Sequence, residues 1–155
     1  MAHRAEGSDA RRLMRAAVLV VLAVLLVAGR NWLSDSAILG GAATESGEQQ
    51  VLELFEGRRS GAVVLVGGVV EALLPDDNDG SRHQRFIVQL PSGHTLLVAH
   101  NIDLAPRVPL RDGDAVQVRG EYEWNQQGGV LHWTHDDPDG DHPGGWIELD
   151  GDRYR

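Results

Sequence analysis

At 155 residues and 42% hydrophobic content, the chain has room for one globular domain beside an N-terminal segment. It has no cysteine, which excludes disulfides, thiolate metal ligands and thiol nucleophiles, and all 14 basic residues are arginine, which excludes a P-loop or Schiff-base lysine. The charge is unevenly placed. Residues 1–30 carry five arginines against two carboxylates, a net of +3, whereas residues 49–155 carry nine arginines against 18 carboxylates, a net of −9. An acidic domain repels phosphate backbones, so broad nucleic-acid binding is disfavoured.

Residues 16–29 (AAVLVVLAVLLVAG) form an unbroken apolar or small run behind Arg11, Arg12 and Arg15. Counted from Leu13 to Leu33, with Arg15 and Arg30 snorkelling and Trp32 at the interface, the segment reaches the roughly 20 residues that a bilayer core requires. Two readings stand: an uncleaved signal anchor and a cleaved signal peptide. The nearest small-x-small site, Gly41-Ala42-Ala43, lies far beyond the apolar run, which favours the anchor. Arginine on the N-terminal side makes residues 1–12 a cytoplasmic tail and 13–33 a single transmembrane helix in the inner membrane. The remainder then lies in the periplasm. Residues 34–48, rich in Gly, Ala and Ser, read as a flexible linker to a domain over 49–155.

Glu48 to Arg59 is spaced for one short helix, with Val51, Leu52, Leu54 and Phe55 on an apolar face and Gly57 and Gly61 to end it. Strand signals follow. Ala62 to Leu74 is β-branched around Gly67-Gly68, which marks a bulge or bend. Arg85 to Leu90 and His94 to His100 flank the turn Pro91-Ser92-Gly93 and read as a hairpin. Ala115 to Trp124 alternates as a half-buried strand, Val130 to Thr134 returns after a turn at Gln126 to Gly129, and Trp146 to Leu149 runs into Asp150-Gly151. About five strands with a bend in the first predict a mainly β domain, a small closed antiparallel barrel with one short N-terminal helix. Residues 110–124 (LRDGDAVQVRGEYEW) resemble the loop and fourth strand of an OB-fold barrel.

The densest chemistry lies in His132-Trp133-Thr134-His135-Asp136-Asp137-Pro138-Asp139-Gly140-Asp141-His142, which holds three of the seven histidines and four carboxylates. Imidazole and carboxylate bind divalent transition metals without cysteine. The expected metal ligands are therefore His132, His135, His142 and Asp136, with zinc as the ion. His132 and His135 are oddly spaced for one strand, and converge only if the chain bends after Trp133. The alternative is a structural loop in which these side chains bind backbone. A second polar cluster, His100, Asp103 and Arg107, sits at a strand end and joins Trp133 as the candidate ligand-binding set. Arg82, His83 and Arg85 suit an anionic ligand, or salt bridges to nearby aspartates. Asp76-Asp77-Asn78-Asp79-Gly80 and Asp136 to Asp141 resemble calcium loops but lack the EF-hand spacing, and read as solvated turns.

Three strings, HNIDLAPR (100–107), GEYEWN (120–125) and HWTHDDPDGDHPGGW (132–146), resemble a family of small bacterial proteins with a domain of unknown function. The resemblance runs from about Gly68 to Tyr154 and implies an exported or membrane-tethered protein; it carries no catalytic residues. The expected function is a membrane-tethered periplasmic binding module for an envelope protein or small ligand. The alternative is a metal-dependent phosphodiesterase or nuclease using the same histidines, with Asp136 or Glu121 as base.

Overall fold

The computed structural model describes residues 41–155. The expected cytoplasmic tail, the transmembrane helix at 13–33 and linker residues 34–40 lie outside the described residues, among which no helix is long and apolar enough to cross a membrane.

Helix α1 covers residues 41–56. It is longer than its spacing predicted and takes in residues 41–48, whose Gly and Ala content suggested a linker. Packing explains the difference. A Cβ on Gly47 would lie 1.7 Å from the Leu65 carbonyl oxygen, so the missing side chain lets the helix backbone press onto the sheet. Val51 and Leu54 then enter the core, and the Glu48 carboxylate accepts the Ser92 amide at 2.8 Å. The helix ends as a Schellman motif, with Arg59 N–H donating to Leu54 and Arg58 N–H to Phe55. Arg58, not the expected Gly57, takes the left-handed conformation (φ 50°).

Seven strands follow: β1 (Ala62–Asp77), β2 (His83–Gln89), β3 (Thr95–Asn101), β4 (Ala115–Glu123), β5 (Val130–His132), β6 (Trp146–Leu149) and β7 (Asp152–Tyr154). The first half of β1 pairs with β4, from Ala62 opposite Tyr122 to Val69 opposite Ala115; its second half pairs with β2, from Val69 opposite Gln89 to Asp77 opposite His83. The changeover is at the predicted bend. A Cβ on Gly68 would meet the Gln89 carbonyl oxygen at 2.5 Å, so β2 crosses β1 where β1 has no side chain. The β2–β3 hairpin turns at Pro91-Ser92-Gly93 as expected, with Gly93 at φ 87°.

The pairings β1–β2, β2–β3, β3–β5, β5–β4 and β4–β1 close a ring of five strands. The all-antiparallel expectation fails at one place: β3 and β5 are parallel. Parity requires it. Strand direction cannot alternate all the way around an odd ring, so one neighbouring pair must point the same way. β6 and β7, joined through Asp150 (φ 54°) and Gly151 (φ 89°) in the manner of a type I′ hairpin, extend the sheet beyond β4. Three-residue β7 was too short for the sequence pattern to show.

Inside the ring, Val66, Val70, Phe86, Leu96, Val98, Val118, Tyr122, Leu131 and Ile147 are essentially inaccessible. Tyr122 keeps its hydroxyl satisfied on the Gly128 carbonyl at 3.1 Å. The other aromatic residues of the C-terminal half disperse. Trp124 packs on the core and donates its indole N–H to Phe55, and Trp146 lies under the Arg153 guanidinium at 4.0 Å.

Gly47→Ala tests the helix–sheet contact. Alanine is the better helix former by about 1 kcal/mol, yet here its methyl collides with backbone. We expect net destabilisation of about 1–3 kcal/mol from overpacking, seen as a lower urea midpoint, whereas Gly41→Ala, which meets no atom within 4 Å, does not destabilise.

Candidate functional site

Alternation divides β2, β3, β4 and β5 cleanly. The even residues Gln84, Phe86, Leu96, Val98 and Tyr122, with the odd Leu131 on β5, face inward, and His83, Arg85, Ala99, Asn101, Glu121, Glu123 and His132 face outward. Cross-strand register places Arg85 opposite Ala99, and Glu121 opposite His132. Ala99 is small, so the surface is hollow there. Two adjoining cavities of about 230 and 300 Å³ share His83, Ala99 and His132. The first also touches Asn101, Leu104, Trp133 and His135; the second adds Asp77, Arg85, Glu123 and Val130.

The segment after β5 builds one wall. Trp133 adopts φ 51°, so the chain does bend at the residue where convergence of the histidines required it. Gly145 returns the chain to the sheet. A Cβ there would sit 2.0 Å from the Trp133 carbonyl oxygen and 2.5 Å from that of Arg119. In between, the Asp137 carboxylate accepts the amides of Asp139, Asp141 and His142. These bonds, that from His142 foremost, hold Asp137 below the usual carboxylate range. The Trp133 ring stacks on His142 at 4.2 Å between centroids, and His135 lies 5.4 Å away at a tilt.

The ring nitrogens decide what the groove offers. His83 Nδ1–H donates to the Ser81 carbonyl at 2.7 Å and His135 Nδ1–H to that of Asp136 at 2.8 Å, which in the neutral rings leaves each Nε2 as the acceptor. His142 Nε2 lies 2.5 Å from Glu121 Oε2 and its Nδ1 lies 2.9 Å from the Pro143 carbonyl oxygen. His132 differs. Its Nε2 is buried with no hydrogen-bond partner and lies 3.7 Å from Glu121 Oε1. Burial lowers the His132 pKa, against the opposing pull of Glu121 and Glu123. Glu121, Glu123 and His132 each present a ligand atom, all within 4.8 Å of one another.

A family model for a protein of unknown function, DUF3465, matches residues 36–155. The chain belongs to the DUF3465 family. The match begins well before Gly68, where the resemblance read from the sequence started. No curated protein matches the chain.

This DUF3465 domain divides the expected site residues into three groups. Trp133, His132 and His135 line the groove. His142 is drawn to Glu121, and Asp136 is exposed, 3.7 Å from the Arg155 guanidinium. The expected quartet His132, His135, His142 and Asp136 therefore does not gather into a metal centre: among the described residues, the ligand group is Glu121, Glu123 and His132. The reason is β-sheet register, which sets His132 against Glu121, while the loop returns His142 to the same carboxylate and leaves His135 and Asp136 apart from it.

The remaining expected residues, His100, Asp103 and Arg107, line neither cavity and make contacts within the domain. His100 points inward and is fully buried, its Nδ1 accepting from the Thr134 hydroxyl at 2.8 Å and its Nε2–H donating to the Pro106 carbonyl at 3.1 Å. It ties loop 102–110 and the start of the histidine-rich loop to the ring, and is not exposed to a ligand. Asp103 accepts the backbone N–H and the guanidinium of Arg82, both at 2.7 Å, and these bonds lower its pKa. Arg107 pairs with Asp76. Asp77 and Asp137 organise their loops as Asx turns, the solvated-turn reading of both acidic runs. The sequence-based reading missed Glu123 and Ala99 altogether. Glu121-x-Glu123 on an alternating strand was the available signal, but its partner on β5 depends on register.

Burial lowers the His100 pKa to about 4 from 6.5. The folded state therefore holds His100 neutral, while the unfolded chain takes up a proton from pH 6.5 downward. The stability contributed by the neutral ring is complete above pH 6.5 and lost as pH falls toward 4. At 1.36 kcal/mol per pH unit the loss approaches ~3 kcal/mol. Urea unfolding at pH 7.0 and 4.5 should show this decline in the wild type, and His100→Gln should be weaker at pH 7.0 but much flatter between the two.

Proposed function

We propose that this DUF3465 domain is a binding module, an OB-like barrel held at the periplasmic face of the inner membrane by its N-terminal segment. Its ligand is an envelope component that enters the groove over Ala99. The groove itself carries this reading. Two joined cavities on the outer β2–β3–β5 surface present the ring nitrogens of His83 and His135, the Trp133 ring and the Arg85 side chain. OB-fold barrels use the same β2–β3 surface, with the loops that border it, to hold extended ligands. That parallel is one of fold, and supports a surface and not a substrate. Within an acidic domain, the groove mixes histidine and arginine with Asp77 and Glu123. Such a lining suits a polar ligand of low net charge better than a phosphate backbone.

Site-specific photo-crosslinking tests the groove. A benzophenone amino acid at Ala99 in the full chain should give a discrete crosslinked species in cells, and the same probe at Glu148, on β6 outside the groove, should not. Equal crosslinking at both positions, or none at 99, argues against a bound envelope component. Localisation has its own test. The chain is free of cysteine, so Glu71→Cys provides one label site on exposed β1. It should react with a membrane-impermeant maleimide in intact spheroplasts; protection until the cells are lysed would place the domain in the cytoplasm.

The second reading, metal-dependent hydrolysis, draws its support from the carboxylate–histidine trio alone. Zinc-dependent turnover of a chromogenic phosphodiester, lost in His132→Gln, would favour it.

A further inference from the structure

The outer face of β4 brings together three groups that do not satisfy one another. Glu121 and Glu123 stand two residues apart on one side of the strand, and His132 on β5 faces Glu121 across the pair. Their ligand atoms lie within 4.8 Å of one another. Two carboxylates this close repel, and each gains from a cation between them. The imidazole adds an independent observation. His132 Nε2 is shielded from solvent yet makes no hydrogen bond. A buried polar atom left in that state costs free energy, and here it stands beside two anionic oxygens. If Nε2 carries its lone pair, it is a third donor directed into the same space.

We propose that Glu121, Glu123 and His132 form a binding site for a divalent transition cation, with zinc as the ion that best fits one imidazole and two carboxylates. The site goes beyond the binding module described above, and holds whether or not the groove takes an organic ligand. Three protein ligands leave a fourth zinc position open. Because His132 and Glu123 also line the cavity that contains Arg85, that open position faces the groove.

The loop supplies a partner that the cation would displace. Glu121 is engaged by His142, which in turn stacks on Trp133. A cation drawing on Glu121 competes with the His142 bond, and so loosens or re-seats the 133–145 loop that walls the groove. Metal occupancy and groove shape are thereby coupled through one carboxylate.

The test uses the full chain in detergent, without a polyhistidine tag, stripped by a chelator and titrated with zinc against a chromogenic competitor. We expect one zinc per chain and binding at least tenfold weaker in His132→Gln and Glu123→Gln, with Glu148→Gln unchanged. Glu123 is exposed, so its substitution should leave thermal melting unaltered and isolate the loss of a ligand from a loss of fold. Cobalt uptake with the visible absorption of a nitrogen–oxygen site, absent in His132→Gln, would add support. No zinc uptake by the folded wild type, or equal uptake by wild type and His132→Gln, overturns the proposal. Neither result touches the crosslinking test of the groove, so the two inferences fail separately.

Discussion

β4 has two edges and three partners, and the candidate site is a consequence of that shortage. One edge is taken along its length by the first half of β1. The other must serve both β5 and β6, and does so in sequence: Glu121 to Glu123 pair with β5, Val116 to Arg119 with β6. β5 and β6 run along the same edge in the same direction, and only Gly120 separates their pairings on β4, yet 13 residues of chain leave the edge between His132 and Trp146. The 133–145 excursion is that departure. Its two ends are fixed by backbone geometry, a left-handed Trp133 and a Gly145 with no room for a side chain. The histidine-rich stretch is an insertion between two ladders that almost abut on β4.

Ring closure sets the second constraint. Five strands force one parallel neighbour, and the pair that bears it, β3–β5, is short, joined at Leu97–Val130 and Val98–Leu131. Parallel pairing is slightly less favourable per residue than antiparallel, so a two-residue contact keeps that cost small. It also lies at the centre of the outer groove, where Ala99 follows directly on the paired residues. The hollow opens where the ladder between β3 and β5 ends.

Local chemistry was legible in the sequence, and distant pairing was not. The bend at Gly67-Gly68, the hairpin at Pro91-Ser92-Gly93, the turn at Asp150-Gly151 and the Asx turns at Asp77 and Asp137 follow from residue types a few positions apart. So did the apolar face of α1. The part of α1 before Glu48 escaped because Gly47 looks like a helix breaker until Leu65 is seen against it, and its end because an arginine took the conformation that favours glycine. The site was half visible. His132, His135 and Trp133 announce themselves by composition. Glu121 and Glu123 are ordinary outward residues on an alternating strand, and become candidate ligands only once register brings β5 against them.

His100 and His132 show why composition alone misassigns histidines. Both are lowered in pKa by burial, and both lay among the expected functional residues. His100 has a partner for each ring nitrogen, one of them a carbonyl that can only accept, so its tautomer is set and the ring serves as a bracket between loops. His132 has a buried Nε2 with no hydrogen bond and two carboxylates in reach. The physical difference is satisfaction, not burial or sequence context. A histidine whose hydrogen bonds are complete has no free valence for chemistry, whereas one left incomplete beside anionic groups retains a donor for a cation. On that criterion the candidate metal ligand is His132 on the β4–β5 strand pair, and not the histidines of the loop beside it.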